Sequence, residues 1–229
     1  MDFKRLRLPA VLALICAASF VTFLQVKANQ ETDDPVSPSA VWTPENEDLS
    51  EIQQSCSTEV NYGKCFVARM EILASSEAVS FSKSLLEHQP SRTGYLEELR
   101  EAGSVDLGTV VYSRDGTLSE EWVLLNGTPA IVNVDDFNLL PQSAMQKDPR
   151  FIALRRNYPQ VGLSAETDHR TRLAAPEIAG LSDGGQRFII SYSLKEPCAS
   201  CQTITHASFG FDFDAAGKFQ GAKFLQIAP

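Results

Sequence analysis

The chain has 229 residues, of which 43% are apolar and 9% are aromatic, a composition typical of a globular protein. Four of its 20 basic residues and one of its 29 acidic residues lie in the first 28 positions, so the rest carries 16 basic and 28 acidic residues, a net charge of −12. Nucleic acid and anionic membrane surfaces are bound by clustered Lys and Arg. The acidity therefore argues against nucleic acid as a partner, and it leaves membrane contact only to an N-terminal anchor.

The first 28 residues have the three parts of an export signal. Lys4, Arg5 and Arg7 form a basic start, residues 8–26 are uncharged and largely apolar, and Ala28 ends a Val-Lys-Ala sequence suited to signal peptidase. The apolar run approaches the roughly 20 residues needed to cross a bilayer, so an uncleaved membrane anchor is the alternative to a cleaved signal peptide. In both cases the basic flank stays in the cytoplasm. We therefore expect a periplasmic or secreted protein, or a domain held outside the cytoplasm by residues 8–26.

The five cysteines predict two disulfides, because Cys16 lies within the export signal and four others remain. An even number of cysteines in an oxidising compartment is typical of a disulfide framework. In the loop-entropy model, a disulfide that closes a long loop would stabilise the fold by about 5 kcal/mol, whereas one that closes a short loop would contribute roughly 2.7 kcal/mol. Stability therefore favours long-range links. Proximity in the sequence favours Cys56 with Cys65 and Cys198 with Cys201. Of the three possible pairings we favour this local one.

The N-terminal half of the exported part is predicted to contain a linker and several helices. Residues 29–50 are acidic, contain three prolines and few large apolar groups, and predict a flexible linker. Residues 51–89 lack proline and carry apolar residues at helical spacing, which predicts mainly helix. Residues 95–102 (YLEELREA) are amphipathic and predict a further short helix. We expect a single domain over residues 51–229.

Strand patterns follow. Residues 105–112 predict a strand, and two apolar runs flank Asn126-Gly127, a pair that tolerates the positive φ of a tight hairpin turn. Asp148, followed by proline, predicts the N-terminal cap of a helix over residues 150–156.

The C-terminal third predicts three successive strands, over residues 187–194, 203–214 and 218–227. In the middle strand three phenylalanines, at positions 209, 211 and 213, alternate with polar residues, so one face is buried and the other is polar. Together these patterns predict an α+β fold, in which an antiparallel sheet has the N-terminal helices packed on one face.

Cys198 and Cys201 form a C-x-x-C motif, which is also found in thiol–disulfide oxidoreductases. A redox-active motif needs its first thiol acidified, usually at a helix N-terminus. Here a predicted strand follows the motif, so we expect a structural disulfide, with a thiol–disulfide redox protein as the alternative function. Zinc would need two further ligands, and the fold would have to bring His206 and His169 to the motif. We therefore assign no metal site.

Three more motifs match catalytic or metal-binding patterns without the context that these need. Ser182 lies in a G-x-S-x-G sequence that is predicted to be a loop and not a strand-to-helix elbow, so a serine hydrolase is a lesser alternative. Ser80 and Lys83 form an S-x-x-K pattern without its companion motifs. The sequence from Asp212 resembles the start of a calcium-binding loop, but Lys223 occupies the position of the glutamate ligand.

No catalytic or cofactor-binding residue is assigned from the sequence. Asp135 and Asp136 are neighbours on an extended segment, so they are expected to point to opposite faces and to lie in a turn at a strand end. Elimination favours a non-catalytic domain that binds another envelope or secreted protein, or a small ligand. A deep polar cleft lined by Asp135, Asp212 or His206 would overturn this hypothesis.

Overall fold

The computed structural model describes residues 35–89, 92–114, 117–164, 175–198 and 201–228. The predicted export signal and His169 lie outside these residues. The helices are α1 (Asn46–Cys56), α2 (Tyr62–Leu73), α3 (Ser76–His88), α4 (Gln142–Gln146) and α5 (Pro149–Asn157). The strands are β1 (Thr93–Arg100), β2 (Asp106–Arg114), β3 (Thr117–Leu125), β4 (Ile131–Asn133), β5 (Gly162–Ser164), β6 (Glu177–Gly180), β7 (Gln186–Lys195), β8 (Thr205–Phe213) and β9 (Phe219–Ile227).

The segment before α1 is packed on the domain, although the sequence predicts that residues 29–50 form a flexible linker. A 3₁₀ turn over Pro38–Ala40 leads to Trp42, whose amide donates to the carbonyl of Leu96 in β1 at 2.8 Å. The Trp42 side chain is 9% exposed and meets the Tyr95 ring edge-on, with 5.0 Å between ring centroids. One large aromatic residue thus supplies the burial that the composition of the segment does not indicate, and the linker prediction is corrected for residues 36–50.

The predicted helices of residues 51–89 are present as α1, α2 and α3. In α3 the Ser75 hydroxyl accepts from the Ala78 amide at 3.1 Å, which caps the helix. The predicted helix over residues 150–156 is also confirmed, because Asp148 caps α5 by accepting from the Arg150 amide at 2.7 Å. The helix predicted for residues 95–102 is wrong, since this segment is strand β1.

The first sheet is an antiparallel meander in the order β1-β2-β3-β4. Strand β1 pairs with β2 from Thr93 opposite Ser113 to Arg100 opposite Leu107, with a bulge after Leu96. Pairing along this whole length overrides the helical propensity of the Leu, Glu and Arg residues in β1. Strand β1 therefore forms an edge of the first sheet, although its local sequence indicates a helix.

Asn126, in the connection between β3 and β4, has the predicted positive φ, at 66°. The connection spans five residues, from Leu125 to Ile131, and is therefore longer than the predicted tight turn. The Asn126 side chain accepts from the Val36 amide at 2.7 Å and donates to the Val36 carbonyl at 2.8 Å. It also donates to Asp106 at 2.6 Å. Asn126 thus fixes the first of the described residues to the sheet.

The second sheet contains the three C-terminal strands that the sequence predicts. Its order is β5-β7-β8-β9, and β6 also pairs with β7, all antiparallel. The α+β class is confirmed, with N-terminal helices packed against a sheet, and the strands form two sheets where one was expected.

The two faces of the first sheet are covered by different elements. On one face Val110 and Val123 pack with Phe81 of α3. On the other face Leu107 and Leu124 join a cluster with the inner face of the second sheet. That inner face includes the predicted phenylalanines, Phe209, Phe211 and Phe213. Helix α3, the first sheet and the second sheet therefore form successive layers.

Both local disulfide pairings are confirmed. Cys56–Cys65 joins the end of α1 to the first turn of α2 and has a sulfur separation of 1.97 Å. Cys198–Cys201 lies in the connection from β7 to β8. In the described part of the chain, no helix combines the length and the hydrophobicity that crossing a membrane requires.

Candidate functional site

A cleft of about 580 Å³ opens beside the C-terminal end of α3, on the face of the first sheet that this helix partly covers. Its described lining combines the end of α3, strands β3 and β4, the turn after β4 and the start of β9. The lining residues are His88, Gln89, Arg92, Glu121, Pro129, Ile131, Val132, Asn133, Asp135, Asp136, Leu139 and Phe219.

A bidentate ion pair between Arg92 and Glu121 forms the polar wall. One Arg92 nitrogen donates to Glu121 Oε2 at 2.9 Å, and the other makes a closer contact with Oε1. The Asn133 amide nitrogen also donates to Glu121 Oε2, at 2.7 Å. The Arg92 guanidinium lies 3.9 Å from the ring centroid of Tyr112, a cation–π arrangement. Glu121 is therefore held by two side chains, and Arg92 is held between a carboxylate and an aromatic face.

Tyr112 lies behind this wall. Its hydroxyl is buried and has no hydrogen-bond partner among the described residues. Burial raises the pKa of Tyr112, and the charges of Glu121 and Asp135 raise it further. Burial alone would lower the pKa of Arg92, but its hydrogen bond to Glu121 raises that pKa above the ordinary value. The wall therefore contains a phenol that stays protonated and a guanidinium that stays charged.

An apolar wall is formed by four other lining residues. Pro129 and Ile131 come from the β3–β4 connection and β4, Leu139 comes from a 3₁₀ turn, and Phe219 begins β9. The Phe219 amide donates to the carbonyl of Thr128 at 2.9 Å, which fixes β9 against the β3–β4 connection. An apolar group can therefore be buried against this wall while a polar group faces the ion pair.

Asp135 and Asp136 lie in a turn after β4, as predicted, but both line the cleft, where opposite faces were expected. The Asp135 amide donates to the Asn133 side chain at 2.7 Å, which bends the chain here. Asp136 Oδ1 accepts from the Asn138 amide at 3.0 Å and caps the following 3₁₀ turn. The extended-strand argument fails because the chain turns at these residues.

The candidate serine motifs do not have catalytic surroundings. Ser182 lies in the loop of the β6–β7 hairpin. The Leu181 amide closes this loop by donating to the Gly185 carbonyl at 2.8 Å. A nucleophile elbow needs a helix after the serine, and here a strand follows. Ser80 is exposed on α3, and Lys83 pairs with Glu71 on α2 at 2.7 Å.

The Cys198–Cys201 pair lies between two antiparallel strands. After the motif, the Ile204 amide donates to the Leu194 carbonyl at 2.8 Å, and β8 begins at once. No helix N-terminus follows the motif to stabilise a Cys198 thiolate. The local geometry is that of a disulfide that closes a hairpin connection.

Asp212, which is not among the described lining residues of the cleft, is engaged in an ion cluster on β8. Arg187 on the adjacent strand donates to its two oxygens at 2.5 and 2.7 Å, and Lys223 approaches at 2.7 Å. The hydrogen bond from Arg187 lowers the pKa of Asp212, and Lys223 lowers it further. His206 lies on β8 opposite Ser193. Among the described residues, no group of three His, Cys, Asp or Glu side chains could hold a metal ion.

The main residues of the cleft carry no local sequence signal. Arg92 and Glu121 are 29 positions apart, and each is an ordinary charged residue next to or within a strand. Tyr112 reads as one more apolar residue in the predicted strand of residues 105–112. Only the pairing of β1 with β2 and of β2 with β3 brings the three side chains together.

Comparisons with known proteins give no template for this cleft. Neither protein-family models, nor curated proteins, nor solved structures give a match to the chain. What the cleft does must therefore be inferred from its own geometry and charge.

Proposed function

We propose that this chain is an exported, non-catalytic binding domain whose ligand occupies the cleft beside α3. The observation that carries the proposal is the cleft itself, which has a volume of about 580 Å³ and combines apolar lining residues with a fixed polar wall. Ligand-binding pockets typically have about 300–1,000 Å³ and combine an apolar lining with a few oriented polar groups.

The bonding of Glu121 favours binding over catalysis. Of Asp135, Asp212 and His206, only Asp135 is among the described lining residues of the cleft. A general acid or base must exchange a proton with its substrate. Glu121 instead accepts from both Arg92 and Asn133, and its bonds serve to fix the wall. Among the described lining residues there is no Ser, Thr, Cys or Lys that could act as a nucleophile.

Export is part of the same proposal. It is supported by the basic and apolar start of the chain and, weakly, by two disulfides, which persist in oxidising compartments. Fractionation of cells that produce the full chain, followed by N-terminal sequencing, tests it. We expect the protein outside the cytoplasm, with Asn29 as its first residue if the signal is cleaved. Recovery of a cytosolic chain with free thiols would contradict export.

Binding can be tested with three probes that share a phenyl body and differ in their head group: 2-phenylethylamine, 2-phenylethanol and 3-phenylpropionate. Each is titrated to millimolar concentration into the ¹⁵N-labelled domain, and amide shifts are mapped by NMR. We expect at least one probe to shift the amide signals of cleft residues with a millimolar Kd, which corresponds to a binding free energy of about −4 kcal/mol. One-dimensional proton spectra of the same samples report any turnover of a probe, which would contradict the non-catalytic assignment.

A matched pair of variants assigns the binding to the cleft. Ile131→Trp places a large side chain in the apolar wall, whereas Ile152→Trp makes the same change at an exposed position on α5. The first variant should abolish the shifts and the second should retain them. No shift at the cleft with any of the three probes, or equal loss in both variants, would contradict the proposed function.

A further inference from the structure

Asn126 and Gly127, outside the described lining of the cleft, form a chemically labile pair. Asn126 is the only asparagine of the chain that precedes a glycine. An asparagine in this position loses its side-chain amide readily, because glycine has no side chain to shield its backbone nitrogen. A side chain at position 127 would place its Cβ 2.8 Å from the carbonyl oxygen of Gly217. The fold therefore requires the glycine and keeps the labile pair.

The side-chain amide of Asn126 is held between two parts of the fold. Its oxygen accepts from the Val36 amide at 2.7 Å, and its nitrogen donates to the Val36 carbonyl at 2.8 Å and to Asp106 Oδ2 at 2.6 Å. The other oxygen of Asp106 accepts from the Ala102 amide at 2.8 Å, and Asp106 is 7% exposed. One amide group thus joins the segment before α1, residues 36–45, to the first sheet.

Deamidation of Asn126 needs freedom that these contacts deny. The Gly127 nitrogen must lose its proton and attack Cγ of Asn126; the Cγ–Nδ2 bond then breaks, ammonia leaves, and a cyclic succinimide remains. Water opens this ring at either carbonyl and gives aspartate or isoaspartate. Ring closure moves both reacting groups, but the amide is bonded at both of its heteroatoms and Gly127 is packed against Gly217. These contacts therefore oppose the reaction while Val36 is bonded to Asn126.

The product of this reaction does not restore the contacts of Asn126. An ionised aspartate has no side-chain N–H, so neither the Val36 carbonyl nor Asp106 Oδ2 regains its donor. The new carboxylate would stand where the amide nitrogen stood, 2.6 Å from Asp106 Oδ2. Two like charges at such a distance repel each other, and Asp106 is largely shielded from water. Conversion therefore removes a bond to Val36 and adds a repulsion against β2.

We propose that Asn126 is a deamidation site that stays protected while the segment before α1 is docked, and that its conversion releases this segment from the first sheet. Local opening of a native protein is transient, because closing restores the contacts that were broken. A chain that reacts while the segment is open cannot close in the same way. The modification thus turns a brief opening into a lasting one, whether or not the cleft holds a ligand.

The protection is tested by incubating the purified protein in mildly alkaline buffer and following the mass of the peptide that contains residue 126. Trp42→Phe weakens the docking of the segment before α1, because Trp42 is buried against the helices and β1. We expect this variant to react at least about tenfold faster than the wild type, which corresponds to a change of about 1.4 kcal/mol in the opening free energy. The urea-unfolded chain should react fastest of all.

The control for general destabilisation is Phe151→Leu, which weakens the cluster between the sheets and leaves the segment docked. It should react at the wild-type rate. Equal rates in the wild type and Trp42→Phe would overturn the proposal, and so would equal acceleration by Phe151→Leu or a folded wild-type chain that reacts as fast as the unfolded one.

The release is tested with Asn126→Asp, which carries the aspartate product from the start. The Trp42 amide donates to the Leu96 carbonyl at 2.8 Å, so its hydrogen exchange reports whether the segment is docked. We expect this amide to exchange at least about tenfold faster in Asn126→Asp than in the wild type, while the amides of β8 keep their protection.

Asn157→Asp makes the same substitution at an exposed position on α5, and its Trp42 amide should exchange as in the wild type. The proposal is overturned if the Trp42 amide keeps its protection in Asn126→Asp, or if Asn157→Asp loses it to the same extent. It is also overturned if Asn126→Asp unfolds the whole domain, because the proposed release is confined to the segment before α1.

Discussion

Replacing Trp42 by alanine should destabilise the domain strongly, because the segment before α1 belongs to its core. Trp42 is 9% exposed and packs edge-on against Tyr95. A large aromatic side chain buries about 200 Å², worth about 5 kcal/mol at 25 cal/mol per Å², and measured Trp→Ala costs are about 3–5 kcal/mol. We expect a loss of about 4 kcal/mol in the free energy of unfolding. Replacing a residue of a freely moving linker would leave the free energy of unfolding almost unchanged.

Urea unfolding followed by the fluorescence of Trp122 measures this loss, since Trp122 is buried between the sheets and remains in the variant. With a slope of about 2 kcal/mol per molar urea, the midpoint should fall by about 2 M. Val60→Ala, at a fully exposed position, is the control and should change stability by less than about 0.5 kcal/mol. A loss below about 1 kcal/mol for Trp42→Ala would refute the packing of residues 36–50 and restore the flexible linker.

Two further predictions concern charge and disulfides. Asp212→Asn should lower the free energy of unfolding by about 2 kcal/mol at neutral pH. Folding lowers the pKa of Asp212, so its contribution to stability is complete above the unfolded-state pKa of about 3.9 and is lost as the pH falls through the lower folded-state pKa. Urea unfolding in acid should therefore show no difference between the variant and the wild-type chain. A cost that persists in strong acid would contradict this. Mild dithiol treatment should reduce Cys198–Cys201 before Cys56–Cys65, because Cys198 is exposed and Cys56 is fully buried. Alkylation followed by mass spectrometry measures the order, and simultaneous reduction of both disulfides would contradict it. A reduction potential of Cys198–Cys201 above roughly −250 mV would favour the thiol–disulfide redox function.

The fold was predictable where a pattern is local and strong. The phenylalanines at positions 209, 211 and 213 define their strand without reference to any other part of the chain, and Asp148 before proline defines the start of α5. Residues 95–102 show the limit of such patterns. Their Leu, Glu and Arg side chains prefer helix, yet Tyr95 and Leu96 are buried on opposite faces of β1, which a strand inside a covered sheet allows. Tertiary pairing, which no local window contains, decides this segment.

The site was less predictable than the fold because its residues are joined only by the register of the first sheet. Glu121 lies opposite Val110 on β2, one residue pair away from Trp122, which faces the other side. A shift of one residue in this register would point Glu121 into the core between the sheets and remove the ion pair with Arg92. Charged residues at such positions look like ordinary solvated strand residues in a sequence. Asp135 was considered as a candidate and its turn was predicted, but the sequence does not specify which elements meet that turn to form the cleft.

The cleft is also built so that its shape changes little when a ligand binds. Its walls come from elements that are bonded to one another: the Thr128 amide donates to the Gly217 carbonyl at 2.8 Å, and the Phe219 amide returns a bond to Thr128 at 2.9 Å. Arg92 and Glu121 join the segment after α3 to β3. Binding to such a preorganised cleft costs little conformational entropy, so even a small ligand can gain affinity from few contacts. Ligand binding should therefore raise the melting temperature by mass action without shifting amides far from the cleft, whereas shifts spread through both sheets would show that the walls are mobile.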